Sequence, residues 1–150
     1  MVVEIKLNQF KVRCVCGYGP QESDKLEKKE LFWNRLSAEV SEALVNEAAL
    51  IIQMDGNLWA GSQLVPGDPN PTNKNGKFFL DFLDKFPHLT VVNSLDICEG
   101  VITRYRKTKT KVEKAVLDFF IVCSKMLSYA KKDHNTTFLT PQNPNQELKS

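Results

Sequence analysis

Two short runs, residues 49–54 (ALIIQM) and 115–123 (AVLDFFIVC), are apolar at almost every position. A strand with one wet face alternates polar and apolar residues, so runs without alternation call for a sheet covered on both faces. Between and around them the period changes. Phe32, Trp33, Leu36, Val40, Ala43 and Leu44 recur at three- and four-residue steps, marking an amphipathic helix over residues 24–47. Ser23 is its candidate N-cap, with Asp24 and Glu27 placed where acids favour the helix dipole. Strands joined by helices indicate an α/β layered domain.

The remaining segments fit that frame. Residues 2–7 and 10–17 are β-rich runs parted by Asn8-Gln9, a hairpin or two neighbouring strands. Residues 56–75 form a loop rich in Gly, Pro and Asn. A second helix over residues 76–86 buries Phe79, Phe82, Leu83 and Phe86. Strands are expected at 89–95 and 101–105, with a basic connector at 106–114. Residues 1–139 make one domain, and 140–150 form a polar tail expected to be disordered. A net charge of +2 says little about partners, so local clusters must carry any such argument. Cys14, Cys16, Cys98 and Cys123 lack zinc-knuckle spacing and read as buried free thiols. With no signal-like apolar region and no run near the ~18 apolar residues of a membrane span, the chain is expected to be soluble and intracellular, nuclear or cytoplasmic.

The acidic residues stand out against this background. Asp55 closes the first apolar run, and Asn57 follows two residues later, the step that puts two oxygen-bearing side chains on one side of a strand. Asp118 interrupts the second run, where a carboxylate costs several kcal/mol unless paired, ligated or exposed at a sheet end. Asp133-His134 pairs a carboxylate with a titratable ring. Tyr18 sits in a Gly17-Tyr18-Gly19-Pro20 turn after a strand. Hard oxygen ligands of this kind suit magnesium, which keeps much of its water. Arg104, Arg106, Lys107, Lys109, Lys111 and Lys114 crowd one short stretch, fit either for phosphate contact or for a solvated hairpin tip.

In order and type these motifs resemble the endonuclease/exonuclease/phosphatase superfamily, the fold of deoxyribonuclease I and the apurinic endonucleases, and above all the endonuclease domains of non-LTR retrotransposons. The family's usual Gly-Asp-Phe-Asn stands here as Met54-Asp55-Gly56-Asn57, and Lys132 replaces the Ser of its terminal Ser-Asp-His. The resemblance implies the C-terminal half of a four-layer α/β sandwich, with a mixed, mostly antiparallel sheet and flanking helices. It implies Mg2+-dependent hydrolysis of DNA phosphodiester bonds. Asp55 would orient water, Asn57 fix a phosphate oxygen and Tyr18 reach the phosphate. Asp118 would steady His134, with Asp133 at the metal, and Arg104, Arg106, Lys107, Lys109 and Lys111 would face the DNA. A Gly in place of the Phe is expected to loosen the backbone at position 56. The family's first half, with its metal-binding Glu, has no counterpart here, and neither Glu22 nor Glu27 replaces it. The expectation is therefore a truncated or degenerate domain whose sheet leaves an apolar face open. Its partners would be DNA and the missing half-domain, or a reverse transcriptase fused in the parent element. A non-catalytic nucleic-acid-binding or interaction remnant is the alternative.

Overall fold

The computed structural model describes residues 1–132 other than Gln9, Ile97 and Glu99, so Asp133, His134 and the polar tail lie outside the described residues. Strands β1 (Val2–Leu7) and β2 (Phe10–Tyr18) form an antiparallel hairpin. Helix α1 (Leu26–Val45) follows, then β3 (Ala49–Asp55), paired parallel to β2 through this crossover. Helix α2 (Lys74–Lys85) leads to β4 (Leu89–Val91). A separate two-stranded ribbon, β5 (Arg104–Lys107) and β6 (Val112–Ala115), precedes β7 (Asp118–Cys123) and α3 (Ser124–Lys132). The main sheet has the order β1-β2-β3-β7-β4, antiparallel except between β2 and β3. The fold is thus mixed α/β, with a mostly antiparallel sheet flanked by helices, as the sequence indicated. No helix among the described residues is long and apolar enough to cross a membrane.

Register partners share a face, so the ladders divide the sheet cleanly. One face carries Val15, Leu50, Ile52, Met54, Phe119 and Ile121, all buried. Trp33 of α1 and Phe79 of α2 stack 5.8 Å apart between centroids, and Phe79 meets the Phe119 ring at 4.9 Å, which places both helices over that face. The other face is partly open: Cys14, Ile51 and Phe120 are half-buried and Cys16 is exposed. On the edge strand Val3 and Ile5 are 45% and 44% exposed. Of the four thiols only Cys123 is buried, accepting the Leu50 N–H at 3.2 Å, which corrects the expectation of buried cysteines throughout.

Several boundaries differ from the sequence reading, each for a local reason. Helix α1 begins two residues later, capped at Lys25, because Ser23 lies inside a turn closed by the Asp24 N–H to the Gln21 carbonyl. Its buried stripe runs Lys29, Trp33, Leu36, Val40, Ala43, so Leu44 falls on the wet side and is 54% exposed. Strand β4 stops at Val91 because the Asn93 side chain takes over the ladder, accepting the Phe120 N–H (2.9 Å) and donating to the Asp118 carbonyl (3.1 Å). The long 115–123 strand is two strands: Leu117 turns its N–H to the Thr103 hydroxyl instead of a neighbouring strand. The expected strand at 101–105 begins only at Arg104, and the connector after it is the second arm of the ribbon. Helix α3 was not expected from the sequence.

An ion cluster centred on a buried arginine sits within this frame. Arg13 has its side chain 11% exposed, and its guanidinium donates from Nε to Glu39 at 3.0 Å, with Glu42 at 3.0 Å and Glu4 at 3.4 Å. The hydrogen bond it donates to Glu39, against the cost of burial, raises the guanidinium pKa further above its ordinary value. This joins β1, β2 and α1 at one point. Arg13→Ala leaves three carboxylates facing one another, and is expected to lower unfolding stability by about 2 kcal/mol, since charged hydrogen bonds contribute on that scale. Chemical denaturation checks it; an unchanged midpoint would show that the cluster contributes nothing net.

Candidate active site

Tyr18, Asp55 and Asp118 form a row across three adjacent strands. Tyr18 is the register partner of Asp55 in the parallel ladder, and Asp55 that of Asp118 in the antiparallel one. The next pair is bridged by the Gly56 N–H to the Leu117 carbonyl (2.6 Å), which makes Asp55 and Asp118 a non-hydrogen-bonded pair. In such pairs the Cα atoms approach to about 4.5 Å and the side chains lie closest. The row opens into a cleft of about 420 Å3, lined also by Gln21, Asn57, Thr103, Arg104 and Leu117. Asp118 is exposed at the very start of β7, so the cost of a carboxylate within an apolar run is avoided by placing it at the sheet end.

The end of β3 is fixed by a short set of hydrogen bonds. Gly19 N–H donates to the Asp55 carbonyl at 2.7 Å, and Asn57 Nδ2 donates to the Gly19 carbonyl at 2.8 Å. Asn57 takes a left-handed backbone (φ 46°), and its N–H returns to Asp55 Oδ1 at 3.1 Å, orienting that carboxylate. The two loops touch so closely that a Cβ on Gly19 would lie 2.4 Å from the Gly56 carbonyl oxygen. Gly56 is not loose, contrary to expectation. Its N–H is bonded, and a Cβ there would meet Leu58 at 2.9 Å and Phe119 at 3.1 Å. Leu58, fully buried, packs against this position and leaves no room for a side chain there.

Three residues outside the nominated set position the cleft. Asn75 is fully buried, and its Nδ2 donates to the carbonyls of Pro20 (2.8 Å) and Asn57 (3.1 Å), tying the Tyr18 turn to the Asp55 loop. Its N–H meets Glu22 Oε2 at 3.3 Å. Two residues earlier Asn73 caps α2, its Oδ1 accepting the Gly76 N–H at 2.8 Å. Thr103 Oγ1 accepts the N–H groups of Leu117 and Asp118 at 2.9 and 3.1 Å, fastening the base of the basic ribbon to β7. Gln21 Nε2 donates to Tyr18 Oη at 3.0 Å and steadies an otherwise exposed phenol.

The nominated cations divide. Arg104 lines the carboxylate cleft and, with Arg106 and Lys111, a second cleft beside it. Lys107 and Lys109 line neither of these two clefts, Lys107 sitting across from Val112 near the ribbon's turn. Lys111 Nζ lies 3.0 Å from Glu113, and this contact holds the Glu113 carboxyl below the usual range. Thr108 closes the turn with both its backbone and its hydroxyl, so it is not spare for a phosphate. The other nominated residues, Asp133 and His134, lie outside the described residues; His88 sits at the far end of β7, its carbonyl taken by Ser124. Among the described residues, no three His, Cys, Asp or Glu side chains gather as a metal cage.

No family model and no curated protein matches this sequence. Among solved structures the fold is similar to the endonuclease domain of TRAS1, a telomere-specific non-LTR retrotransposon, with a TM-score of 0.59 and 18% identity. The match covers 85% of this chain and 51% of that one, so the chain spans about half the neighbour's length. At that identity the likeness is one of fold.

Asn75→Ala removes one donor from two buried carbonyls, and should destabilise the protein by about 2 kcal/mol. Amide exchange should quicken most at Gly19 and Asn57. Uniform quickening through β1 instead would mean that Asn75 supports the whole fold and not this junction.

Proposed function

We propose that the cleft is the carboxylate-bearing part of a magnesium-dependent phosphodiester-hydrolysing site acting on DNA, in a domain of the retrotransposon-endonuclease kind. The observation that carries it is the direct Asp55–Asp118 pair. Like charges opposite one another on neighbouring strands oppose folding, and neither carboxylate has an ion-pair partner among the described residues. Such a pair makes physical sense when a cation or a reacting group completes it. The fold likeness to an endonuclease domain supports the same reading.

The donors fit magnesium: two carboxylates and an amide oxygen are hard ligands, and water and substrate phosphate would complete the shell. Asp55, Asn57 and Asp118 would hold it, with Asp133 as a further ligand, and when bound it would stabilise charge on phosphate oxygens. The chain's own groups do the rest. Asp55, oriented by the Asn57 N–H, aligns a water for in-line attack on phosphorus. Tyr18, whose oxygen accepts from Gln21, keeps its O–H for a phosphate oxygen. Arg104 offsets phosphate charge at the cleft wall. The second reading, a non-catalytic nucleic-acid binder, is favoured by the Asn57 amide, which is partly spent on the Gly19 carbonyl.

Plasmid nicking separates the two. Slow magnesium-dependent nicking by the chain, lost at least tenfold in Asp55→Ala and in Asp118→Asn, is expected. Equal nicking by all three proteins overturns the catalytic reading, and DNA binding without nicking favours the second. Asp118→Asn should also raise unfolding stability by a few tenths of a kcal/mol as the cross-strand repulsion is relieved. A loss of stability in that variant would show that the pair is structural.

A further inference from the structure

The cleft beside the carboxylates, about 530 Å3 in volume, is lined by Trp59, Asn70, Arg104, Arg106, Lys111 and apolar parts of the ribbon. One lining residue is a tryptophan set apart from the core. Trp33 is 5% exposed, whereas Trp59 is 39% exposed and takes part in no ring contact among the described residues. The backbone beneath that indole is held on both sides. Trp59 N–H donates to Asn73 Oδ1 at 3.1 Å, its carbonyl accepts the Asn73 N–H at 3.2 Å, and Gly76 packs so tightly that a Cβ would lie 2.0 Å from the carbonyl oxygen. A ring presented from a fixed backbone loses little freedom when something stacks on it.

The walls supply charge. Arg104 and Arg106 alternate along β5, so both point to one side of the ribbon, and neither has an ion-pair partner among the described residues. Glu113, the acid on this wall, is engaged by Lys111. Arg104 and Leu117 belong to both clefts, so the second opens directly from the first.

We infer that this second cleft receives an unpaired nucleobase next to the phosphate held at the carboxylates. The base stacks on Trp59, while Arg104 and Arg106 grip the flanking phosphates. This rests on the nucleic-acid reading above and adds to it a preference for unpaired or unstacked nucleotides. A base within a duplex has both faces covered, whereas a single strand offers a free π-face to an aromatic platform.

Fluorescence titration with a single-stranded twelve-nucleotide DNA, its blunt duplex and an abasic strand of equal length tests this at low salt without magnesium. The single strand should quench the wild-type emission and bind more tightly than the abasic strand. Trp59→Ala, followed by anisotropy of labelled DNA, should weaken single-strand binding roughly 5- to 100-fold, the range for one stacked base. It should also abolish the preference over the abasic strand, while Trp59→Phe retains most of both. If Trp59→Ala binds all three DNAs as the wild type does, and Arg106→Glu still loses binding, the stacking site is wrong although nucleic acid remains the partner. If the wild type binds none of them, the nucleic-acid reading falls and the inference with it.

Discussion

The cleft depends on how β3 ends. The Asp55 carbonyl is pinned by Gly19 and the Gly56 N–H by Leu117, while the Asn57 side chain crosses to the Gly19 carbonyl. Asn75 then locks the two loops together from inside the protein. Each bond is ordinary in strength, near 1 kcal/mol net, yet all act on a few residues and leave the chain one path. That path fixes Tyr18, Asp55 and Asp118 in a row. The glycines are needed because the loops touch at distances no side chain permits.

Electrostatics shows the same division between structure and site. At Arg13 an inward-facing guanidinium is surrounded by the carboxylates of Glu4, Glu39 and Glu42. At the other end of the β2–β3 ladder two carboxylates stand opposite each other with no such partner among the described residues. Sheets tolerate this only at an exposed end, where water screens the repulsion, which is where Asp118 lies. A cation bound between them, as proposed above, would offset this repulsion.

Much of the sheet was legible because strands 49–54 and 118–123 are too apolar to face water, and the stripe through Trp33, Leu36 and Val40 allows only a helix laid on one side. Tyr18, Asp55, Asn57 and Asp118 were legible as chemistry-bearing types at or beside strand ends. What stayed hidden was carried by side chains that imitate backbone. Asn93 substitutes for a strand residue, Thr103 for a ladder partner, and Asn75 for a loop staple. Periodicity is blind to such bonds, since a polar residue in a loop looks the same whether or not it replaces a missing ladder. Helix α3 was missed for another reason: it starts at Ser124, directly after the last residue of β7, with no turn to announce it. Trp59 reads from sequence as one more apolar loop residue; only its exposure beside the ribbon sets it apart.

The central claim is that Asp55 and Asp118 are paired to share a cation. Titration of isotope-labelled protein with manganese, a paramagnetic stand-in for magnesium, tests it directly through the broadening of backbone and carboxyl resonances. Broadening should centre on Asp55, Asn57 and Asp118, spread to Tyr18 and Thr103, and be reversed by excess magnesium. Broadening centred instead on Glu4, Glu39 and Glu42, or absent from the end of β3 at millimolar metal, would contradict the account.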